Sequence, residues 1–327
     1  MKDFRTVVRI SPSSKTIGLK TQVLTTGSCF ANAIGDRLQA FKVPGLSNPF
    51  GTAYNPIAIH KTLEYALENT QIPTETIVSA GDLHFQYDFH SDFSSPEKST
   101  LQSMLQETVD RTHSTLRDAS WLIITYGTAW AYYRKENGEV VSNCHKQPSA
   151  LFEKKLLSHE HVVESFHALY QKLKAINPTL SIILTVSPVR HIKDTLELNS
   201  VSKSILRLAC HSLQEHYPEV DYFPAFEIMN DDLRDYRFYK RDMLHPSTEA
   251  EDYIWEMFVE RYADQSFKSF IPRWASIQAA LAHKPFHPQS QGHQRFIRDT
   301  LAKLEEFKNL VSIEKEKAWL QAQIQPA

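Results

Sequence analysis

The stretch Trp121-Leu-Ile-Ile-Thr-Tyr126 decides the fold, together with a second run of the same kind, Ser181-Ile-Ile-Leu-Thr-Val186. Both runs are apolar almost without interruption and do not alternate between apolar and polar residues. Such runs are typical of strands that are covered on both faces, as in a parallel sheet. Two shorter runs, Gln22–Thr25 and Val220–Phe223, are predicted as further strands of that sheet.

Helical patterns lie between the predicted strands, and one more follows the last of them. These segments are Ala31–Phe41, Pro56–Glu68, Thr100–Arg117, His159–Ile176, Asn199–His216 and Pro246–Tyr262. Alternation of strands with helices indicates an open α/β sandwich.

Two stretches interrupt this alternation. Thr70–Pro96 is polar with an aromatic-rich piece, and we interpret it as a hairpin or lid-like insertion near residues 70–97. Lys135–Leu156 is interpreted as a loop excursion at the carboxyl edge of the sheet.

The composition shifts after Gln265. Ile271–Gln291 is rich in Pro and His, and Gln294–Gln321 has the pattern of one long charged helix. We therefore predict an α/β core domain over residues 1–264 and a helical C-terminal appendage over residues 265–327. The appendage is compatible with packing on the core, with covering the site as a lid, or with a homodimer contact.

The bulk composition excludes several classes of function. Lys and Arg total 36 against 38 Asp and Glu, so the net charge of −2 gives no electrostatic case for nucleic acid or an anionic membrane as partner. No apolar run is long enough to cross a bilayer. Cys29, Cys144 and Cys210 are odd in number and lack zinc-like spacing. We therefore predict a cytoplasmic protein that uses no metal and no cofactor.

A candidate nucleophile follows the first predicted strand, in Thr26-Gly-Ser-Cys-Phe30. Ser28 would lie at the carboxyl edge of the sheet, where α/β proteins place their ligands. Gly27 permits a tight turn, and the Ser28 N–H at a helix start can face a developing oxyanion. The ordinary alternative is a serine that only caps the helix.

A candidate base lies far downstream, in Arg241-Asp-Met-Leu-His-Pro246. Three residues of separation allow Asp242 to fold back onto His245 within one turn. The carboxylate would then fix the imidazole tautomer and leave the other ring nitrogen for a serine.

Gly27-Ser-Cys-Phe-Ala31 resembles the motif that names the GSCFA-domain family of the SGNH (GDSL-like) hydrolase superfamily. The likeness covers roughly residues 20 to 262. It includes Asn48–Thr52, Tyr126–Trp130, Asn143–Lys146, Thr185–His191 and Leu233–Tyr239. The resemblance implies a flavodoxin-like three-layer sandwich with a central, mostly parallel sheet. It also implies ester hydrolysis by a Ser–His–Asp triad.

Carried over residue by residue, the resemblance makes Ser28 the nucleophile, His245 the general base and Asp242 the residue that orients the base. The oxyanion hole would take the Ser28 N–H and Gly51 as the glycine of the second block, and Thr128 is a candidate to supply a further donor by its hydroxyl or N–H.

The third block of the superfamily is usually Gly-x-Asn, but here the matching residues are Gly127-Thr-Ala129. The loss of one oxyanion donor typically costs about 10²–10³ in rate. Asn143 or His145, from the loop after this strand, could replace the missing donor and bind substrate. Asn55 is a further candidate, or else the cap of the helix that follows it.

Arg190 follows the predicted strand Ser181–Val186 at the same edge of the sheet. Its planar guanidinium could bind a carboxylate or phosphate of the substrate, or it could pair with Asp194 or a buried carboxylate.

The predicted function is a serine esterase for a small ester, and an O-acetylated carbohydrate is the substrate suggested by analogy with the superfamily. Two alternatives stay open: an acyltransferase using the same site, and a ligand-binding module that retains the hydrolase fold. Thiol catalysis by Cys29 is a weaker rival, because a neighbour of Ser28 on the new helix should point towards the core.

Overall fold

The computed structural model describes residues 5–324, and a five-stranded parallel sheet forms its centre. The strands of the chain are β1 (Val23–Gly27), β2 (Gly45–Ser47), β3 (Ile77–Ala80), β4 (Leu83–Gln86), β5 (Trp121–Tyr126), β6 (Trp130–Arg134), β7 (Val140–Val141), β8 (Phe152–Leu156), β9 (Ser181–Val186) and β10 (Val220–Tyr222). The central sheet has the order β2-β1-β5-β9-β10. This is the flavodoxin-like order, which confirms the predicted fold class.

Helices cover both faces of this sheet. They are α1 (Cys29–Ala40), α2 (Pro56–Glu68), α3 (Lys98–Asp118), α4 (His159–Ile176), α5 (Leu196–His216), α6 (Ala225–Glu227), α7 (Thr248–Tyr262), α8 (Gln265–Ala282), α9 (Gln291–Glu305) and α10 (Glu314–Gln321). One core lies between the sheet and α2, α3, α4 and α5, and a second lies between the sheet and α1, α7 and the C-terminal helices.

The two central strands have the bounds that their apolar runs predict, β5 at Trp121–Tyr126 and β9 at Ser181–Val186. In β5, Leu122 and Ile124 pack into the first core while Ile123 packs into the second. The edge strand β2 is missing from the sequence prediction, because its three half-buried residues, Gly-Leu-Ser, carry no strand pattern.

The two interruptions form small antiparallel sheets. The predicted insertion contains the hairpin β3–β4, as expected. The interpretation of Lys135–Leu156 as a loop excursion is wrong, because β6, β7 and β8 pair into a three-stranded sheet in that region. These strands are short and rich in Tyr and Lys, so their apolar pattern is weak.

The C-terminal region is helical, but its helices differ from those predicted. Helix α8 continues through Pro272, since Phe270 and Trp274 on either side are anchored in the second core. The predicted single helix over Gln294–Gln321 is interrupted between α9 and α10, where the turn buries Phe307. Burial of that turn outweighs the continuous helical pattern.

The C-terminal helices lie at the far end of α1 from Ser28. The Trp274 side chain donates to the carbonyl of Ala40, the last residue of α1, at 2.9 Å, and Gln278 donates to the same carbonyl at 2.8 Å. A helix of this length places Ala40 about 18 Å from Ser28. Among residues 5–324, no helix has both the length and the apolar character needed to span a membrane.

Candidate active site

The turn between β1 and α1 is fixed by Gly27. Its φ of 129° is a conformation that favours glycine, and a Cβ at this position would lie 2.1 Å from the Thr125 carbonyl oxygen. Asn48 holds the same residue from the other side, because its Oδ1 accepts the Gly27 N–H at 3.0 Å and its Nδ2 donates to the Gly27 carbonyl at 3.3 Å. The turn is therefore defined by backbone on one side and by a side-chain clamp on the other.

Ser28 follows this glycine and is the N-cap of α1, with none of its surface exposed. Its hydroxyl accepts the N–H of Phe30 at 3.4 Å. Gly127, after β5, makes room for the serine, since a Cβ built there would lie 3.2 Å from Ser28 Cβ. Thus the ends of β1 and β5 meet at Ser28, at the carboxyl edge of the sheet.

Asp242 and His245 are in contact, as their spacing predicts. Asp242 Oδ2 lies 2.7 Å from His245 Nδ1, and Oδ1 accepts the N–H groups of Leu244 at 2.9 Å and of His245 at 3.0 Å. These two N–H groups, followed by the His245 side chain, lower the pKa of Asp242 to about 2. The carboxylate is therefore anionic near neutral pH and is directed at one nitrogen of the ring.

The loop that carries this pair contacts the segment after β9. The Leu244 carbonyl accepts the N–H of Arg190 at 3.2 Å, and Tyr239 forms an isolated bridge with Pro246 across the base of the loop. Within residues 5–324, no hydrogen bond joins the Ser28 hydroxyl to His245. The structure thus joins two of the three predicted triad residues and places the third at the same edge.

The three predicted oxyanion donors already have acceptors within the chain. Ser28 N–H donates to the Thr125 carbonyl at 3.0 Å because the pairing of β1 with β5 continues one residue beyond the strand. Gly51 N–H donates to the Asn48 carbonyl at 2.8 Å, and Thr128 N–H donates to the Tyr54 carbonyl at 3.0 Å. These N–H groups do not converge as free donors in this structure.

The Thr128 hydroxyl is also hydrogen-bonded within the chain. It lies 3.0 Å from the Ser202 hydroxyl of α5, which in turn accepts the Ala129 N–H at 2.7 Å. Ala129, at the position of the missing asparagine, is fully buried in the first core. The third block therefore packs on α5 here.

The structure does not bring Asn143 and His145 to Ser28. The sheet formed by β6, β7 and β8 carries them onto the insertion. There Asn143 donates to Ser91 at 3.0 Å, and His145 stacks on Phe85 with ring centroids 4.7 Å apart. Asn55 caps α2 by accepting the Ala58 N–H at 2.9 Å, which is the second of its two predicted roles.

Arg190 remains at the sheet edge. Its guanidinium stacks 4.0 Å from the centre of the Tyr239 ring, and its Nε donates to the Tyr239 hydroxyl at 3.1 Å. The predicted alternative, an ion pair with Asp194, is not formed, because Asp194 pairs with Lys154.

Two regions of the chain match known families. Residues 22–258 match the GSCFA family, and residues 274–326 match the C-terminal domain of GSCFA domain proteins. The chain belongs to the GSCFA family. Its naming motif is the Gly27–Ala31 turn described above. No curated protein sequence matches the chain.

Solved structures similar to this GSCFA chain are distant in sequence. An acetyl xylan esterase (Est2A) from the rumen bacterium Butyrivibrio proteoclasticus is 9% identical, with a TM-score of 0.36 over 73% of this chain and 62% of that one. A carbohydrate esterase family 3 structure from Talaromyces cellulolyticus is 7% identical, with a TM-score of 0.31 over 78% of this chain and 99% of that one.

A buried lysine at the candidate site of this GSCFA chain was not predicted from the sequence. Lys203 of α5 is 2% exposed, and its ammonium donates to the carbonyls of Gly127 at 2.6 Å and Ser187 at 2.7 Å. It thereby joins the segments that follow β5 and β9. A detectable signal is its place on the apolar stripe of α5, three residues before Leu206 and seven before Cys210, where lysine is rare unless it is paired.

Lys203 and Cys29 influence each other. Burial lowers the pKa of Lys203 to about 7, and a Cys29 thiolate would oppose that shift. Burial raises the pKa of the Cys29 thiol, with Lys203 acting in the opposite direction. A raised pKa reduces the thiolate fraction, so the structure does not favour Cys29 as a nucleophile.

Proposed function

We propose that this chain is a serine esterase of the SGNH type, in which Ser28 attacks an ester carbonyl. The observation that carries the proposal is the 2.7 Å contact between Asp242 and His245 at the edge that also holds Ser28. When the Nδ1–H of His245 donates a hydrogen bond to Asp242, the other ring nitrogen, Nε2, is the basic one. A side-chain rotation or loop movement that brings the Ser28 hydroxyl to His245 Nε2 would complete a Ser–His–Asp triad.

The reaction would proceed in two halves. Ser28 Oγ forms a bond to the carbonyl carbon while His245 Nε2 takes the hydroxyl proton. His245 then returns that proton to the leaving alcohol, which leaves an acyl group on Ser28. Water repeats the attack with His245 as base, and the acid is released as Ser28 regains its proton. Asp242 stays anionic throughout and stabilises the imidazolium.

The oxyanion needs donors other than the Asn that the third block lacks. The Cys29 N–H is the first amide of α1, and in the described part of the chain it donates to no other residue. An amide at a helix N-terminus favours a developing negative charge. The buried ammonium of Lys203 adds positive charge at the same edge. We infer that these two groups replace the missing asparagine.

The substrate class we infer is a small carboxylic ester, with an O-acetylated carbohydrate as the natural case. This inference rests on the resemblance to SGNH hydrolases, since the geometry constrains the reacting groups and leaves the alcohol open.

The test is hydrolysis of 4-nitrophenyl acetate by the wild type and by the Ser28→Ala and His245→Ala variants. Loss of a triad residue should lower kcat/KM by about 10³-fold or more. Ser290→Ala is the matched control, because Ser290 caps α9 in the C-terminal helices with the same kind of hydrogen bond. Its activity should equal that of the wild type.

Equal hydrolysis by all four proteins would refute the esterase proposal. A folded wild type that hydrolyses no ester and takes no fluorophosphonate label at Ser28 would instead favour the binding module. Transfer of the acetyl group to an added sugar in preference to water would favour the acyltransferase.

A further inference from the structure

A cleft of about 390 Å³ lies beside the loop that carries Asp242 and His245. Its walls come from the segment after β9 and from the region between α6 and α7. Its charged and aromatic lining residues are Arg190, Asp231, Arg234, Asp235, Tyr236 and Tyr239. The proposed triad does not use any of them.

The guanidinium of Arg190 is held in this cleft by aromatic rings. Tyr239 lies under it at 4.0 Å and accepts its Nε–H, while Tyr236, which is 66% exposed, lies 5.4 Å away on the cleft wall. Stacking of this kind fixes the plane of the guanidinium without neutralising its charge. The side chain is therefore oriented but still cationic.

No carboxylate of the described residues forms an ion pair with Arg190. Asp194, the nearest in sequence, is paired with Lys154, and Asp235 of the cleft is paired with Arg237 at 3.2 Å. Within residues 5–324, the two terminal nitrogens of Arg190 donate to no acceptor. A half-buried arginine that lacks an internal anion has its bidentate face available for a ligand.

The lining of the cleft carries two arginines and two aspartates, and the ion pairs among them decide which anion fits. Arg234 lies 4.0 Å from Asp231, and Asp235 pairs with Arg237, so Arg190 is the lining cation that lacks an anionic partner among the described residues. A monoanion with two oxygens in a plane matches one unpaired guanidinium fork. A phosphate dianion would lack a second cation that is free of an internal partner.

We propose that Arg190 binds the carboxylate of an acidic ester and so selects an anionic substrate for Ser28. This inference rests on the proposed esterase function and extends it to a substrate class. The N–H of Arg190 donates to the Leu244 carbonyl, one residue before His245, and Tyr239 belongs to the same loop. The carboxylate site and the base are therefore parts of one unit.

The test compares three acetyl esters of similar size: 4-acetoxybenzoate, its methyl ester, and 4-acetoxyphenyl phosphate. The measured quantity is the ratio of kcat/KM for the carboxylate to kcat/KM for the neutral ester. Replacing Arg190 by Gln should lower this ratio by about 10- to 100-fold, the effect of a lost charged hydrogen bond. The ratio for Arg190→Lys should lie between those of the wild type and Arg190→Gln, because lysine keeps the charge and loses the planar fork.

Arg234→Gln is the matched control, since Arg234 lines the same cleft with its side chain 82% exposed. It should leave the ratio within about twofold of the wild type. If Arg190→Gln lowers the rates for both esters equally, Arg190 only positions the loop and the proposal fails. A wild-type preference for the phosphate over the carboxylate would overturn the assignment of the ligand.

A binding measurement separates this proposal from the proposed esterase function. Titration of 4-acetoxybenzoate into Ser28→Ala by calorimetry reports the carboxylate site without any chemistry. Weaker binding by the double variant Ser28→Ala, Arg190→Gln would support the site even if no ester were hydrolysed. Equal binding by the two proteins would refute it even if hydrolysis by the wild type were fast.

Discussion

Ser28 lies in a turn with none of its surface exposed, whereas the side chains of Asp242 and His245 are 45% and 42% exposed. The serine is placed by the sheet, because the pairing of β1 with β5 continues to its N–H and Gly27 admits the required backbone. The other pair is placed by a loop. That loop folds on itself around Asp242 and touches the sheet edge through the Arg190 N–H.

Under the proposed function, this difference gives the two halves of the candidate site separate tasks. The backbone of the Ser28 turn is fixed by hydrogen bonds to Thr125 and Asn48, so a substitution that disturbs this backbone should act first on the fold. The Asp242–His245 loop forms its own contacts near solvent, so a change there should act on the reaction and little on the fold. The Ser28–His245 contact that the proposed triad requires then depends on the position of the loop, which a bound substrate can influence.

The largest expected effect comes from Gly27→Ala, which should disrupt the turn that carries Ser28. The new Cβ would meet the Thr125 carbonyl at 2.1 Å in a backbone conformation with φ of 129°. We expect a loss of about 3–5 kcal/mol in the free energy of unfolding, measured by urea denaturation.

Gly138→Ala is the control for this substitution. Gly138 also has a positive φ, 74°, but a Cβ added there would have no atom within 4 Å. Its cost should be about 1 kcal/mol, the backbone contribution alone. Equal losses in the two variants would mean that the packing of the Ser28 turn against β5 adds nothing.

Much of the fold was predictable because its strongest elements are local in the sequence. The runs at Trp121–Tyr126 and Ser181–Val186 are long and apolar, and the helix starts at Asn55 and Ser158 carry capping side chains. The strands that were missed, such as Gly45–Ser47, are stabilised by their neighbours in the sheet and have little pattern of their own.

The geometry of the candidate site was predictable only where its contacts are local in the sequence. Asp242 and His245 are three residues apart, so their contact follows from one turn of chain. The oxyanion donors and Lys203 depend on which backbone groups meet when distant segments pack, and that information lies outside any single motif. Asn143 shows the same limit, because the pairing of β6 with β8 decides where its loop lies.

A smaller effect is expected from Lys203→Met, which tests whether the buried charge next to the Ser28 turn assists the reaction. The substitution removes the buried charge at this edge of the sheet, and kcat should fall by about 10- to 100-fold. Because burial lowers the pKa of Lys203 to about 7, the wild-type kcat should decline as the pH rises above about 7. That alkaline decline should be absent from the variant, which has no proton to lose at this position.

Lys174→Met is the matched control. The Lys174 ammonium also donates to two backbone carbonyls, those of Pro178 at 2.6 Å and Leu180 at 3.0 Å, but it lies before β9, at the opposite edge of the sheet. Both variants should be less stable, since carbonyl oxygens lose their partners. If Lys203→Met keeps the alkaline decline, Lys203 is structural and its charge does not assist the reaction.

The smallest effect should come from the exposed half, through the stability contribution of Asp242. The N–H groups of His245 and Leu244 lower the pKa of Asp242 to about 2, below its ordinary 3.8. Because the folded-state pKa is the lower one, the carboxylate favours the folded state above pH 3.8, and this contribution is lost as the pH falls towards 2. Urea midpoints of the wild type and of Asp242→Asn, measured from pH 6 to pH 2.5, should therefore differ most near pH 6 and converge at the acid end. A difference that stays constant over this range would show that the Asp242 carboxylate is not held by its loop in the folded protein. The contrast between a serine fixed by the sheet and an Asp242–His245 loop that forms its own contacts would then be lost.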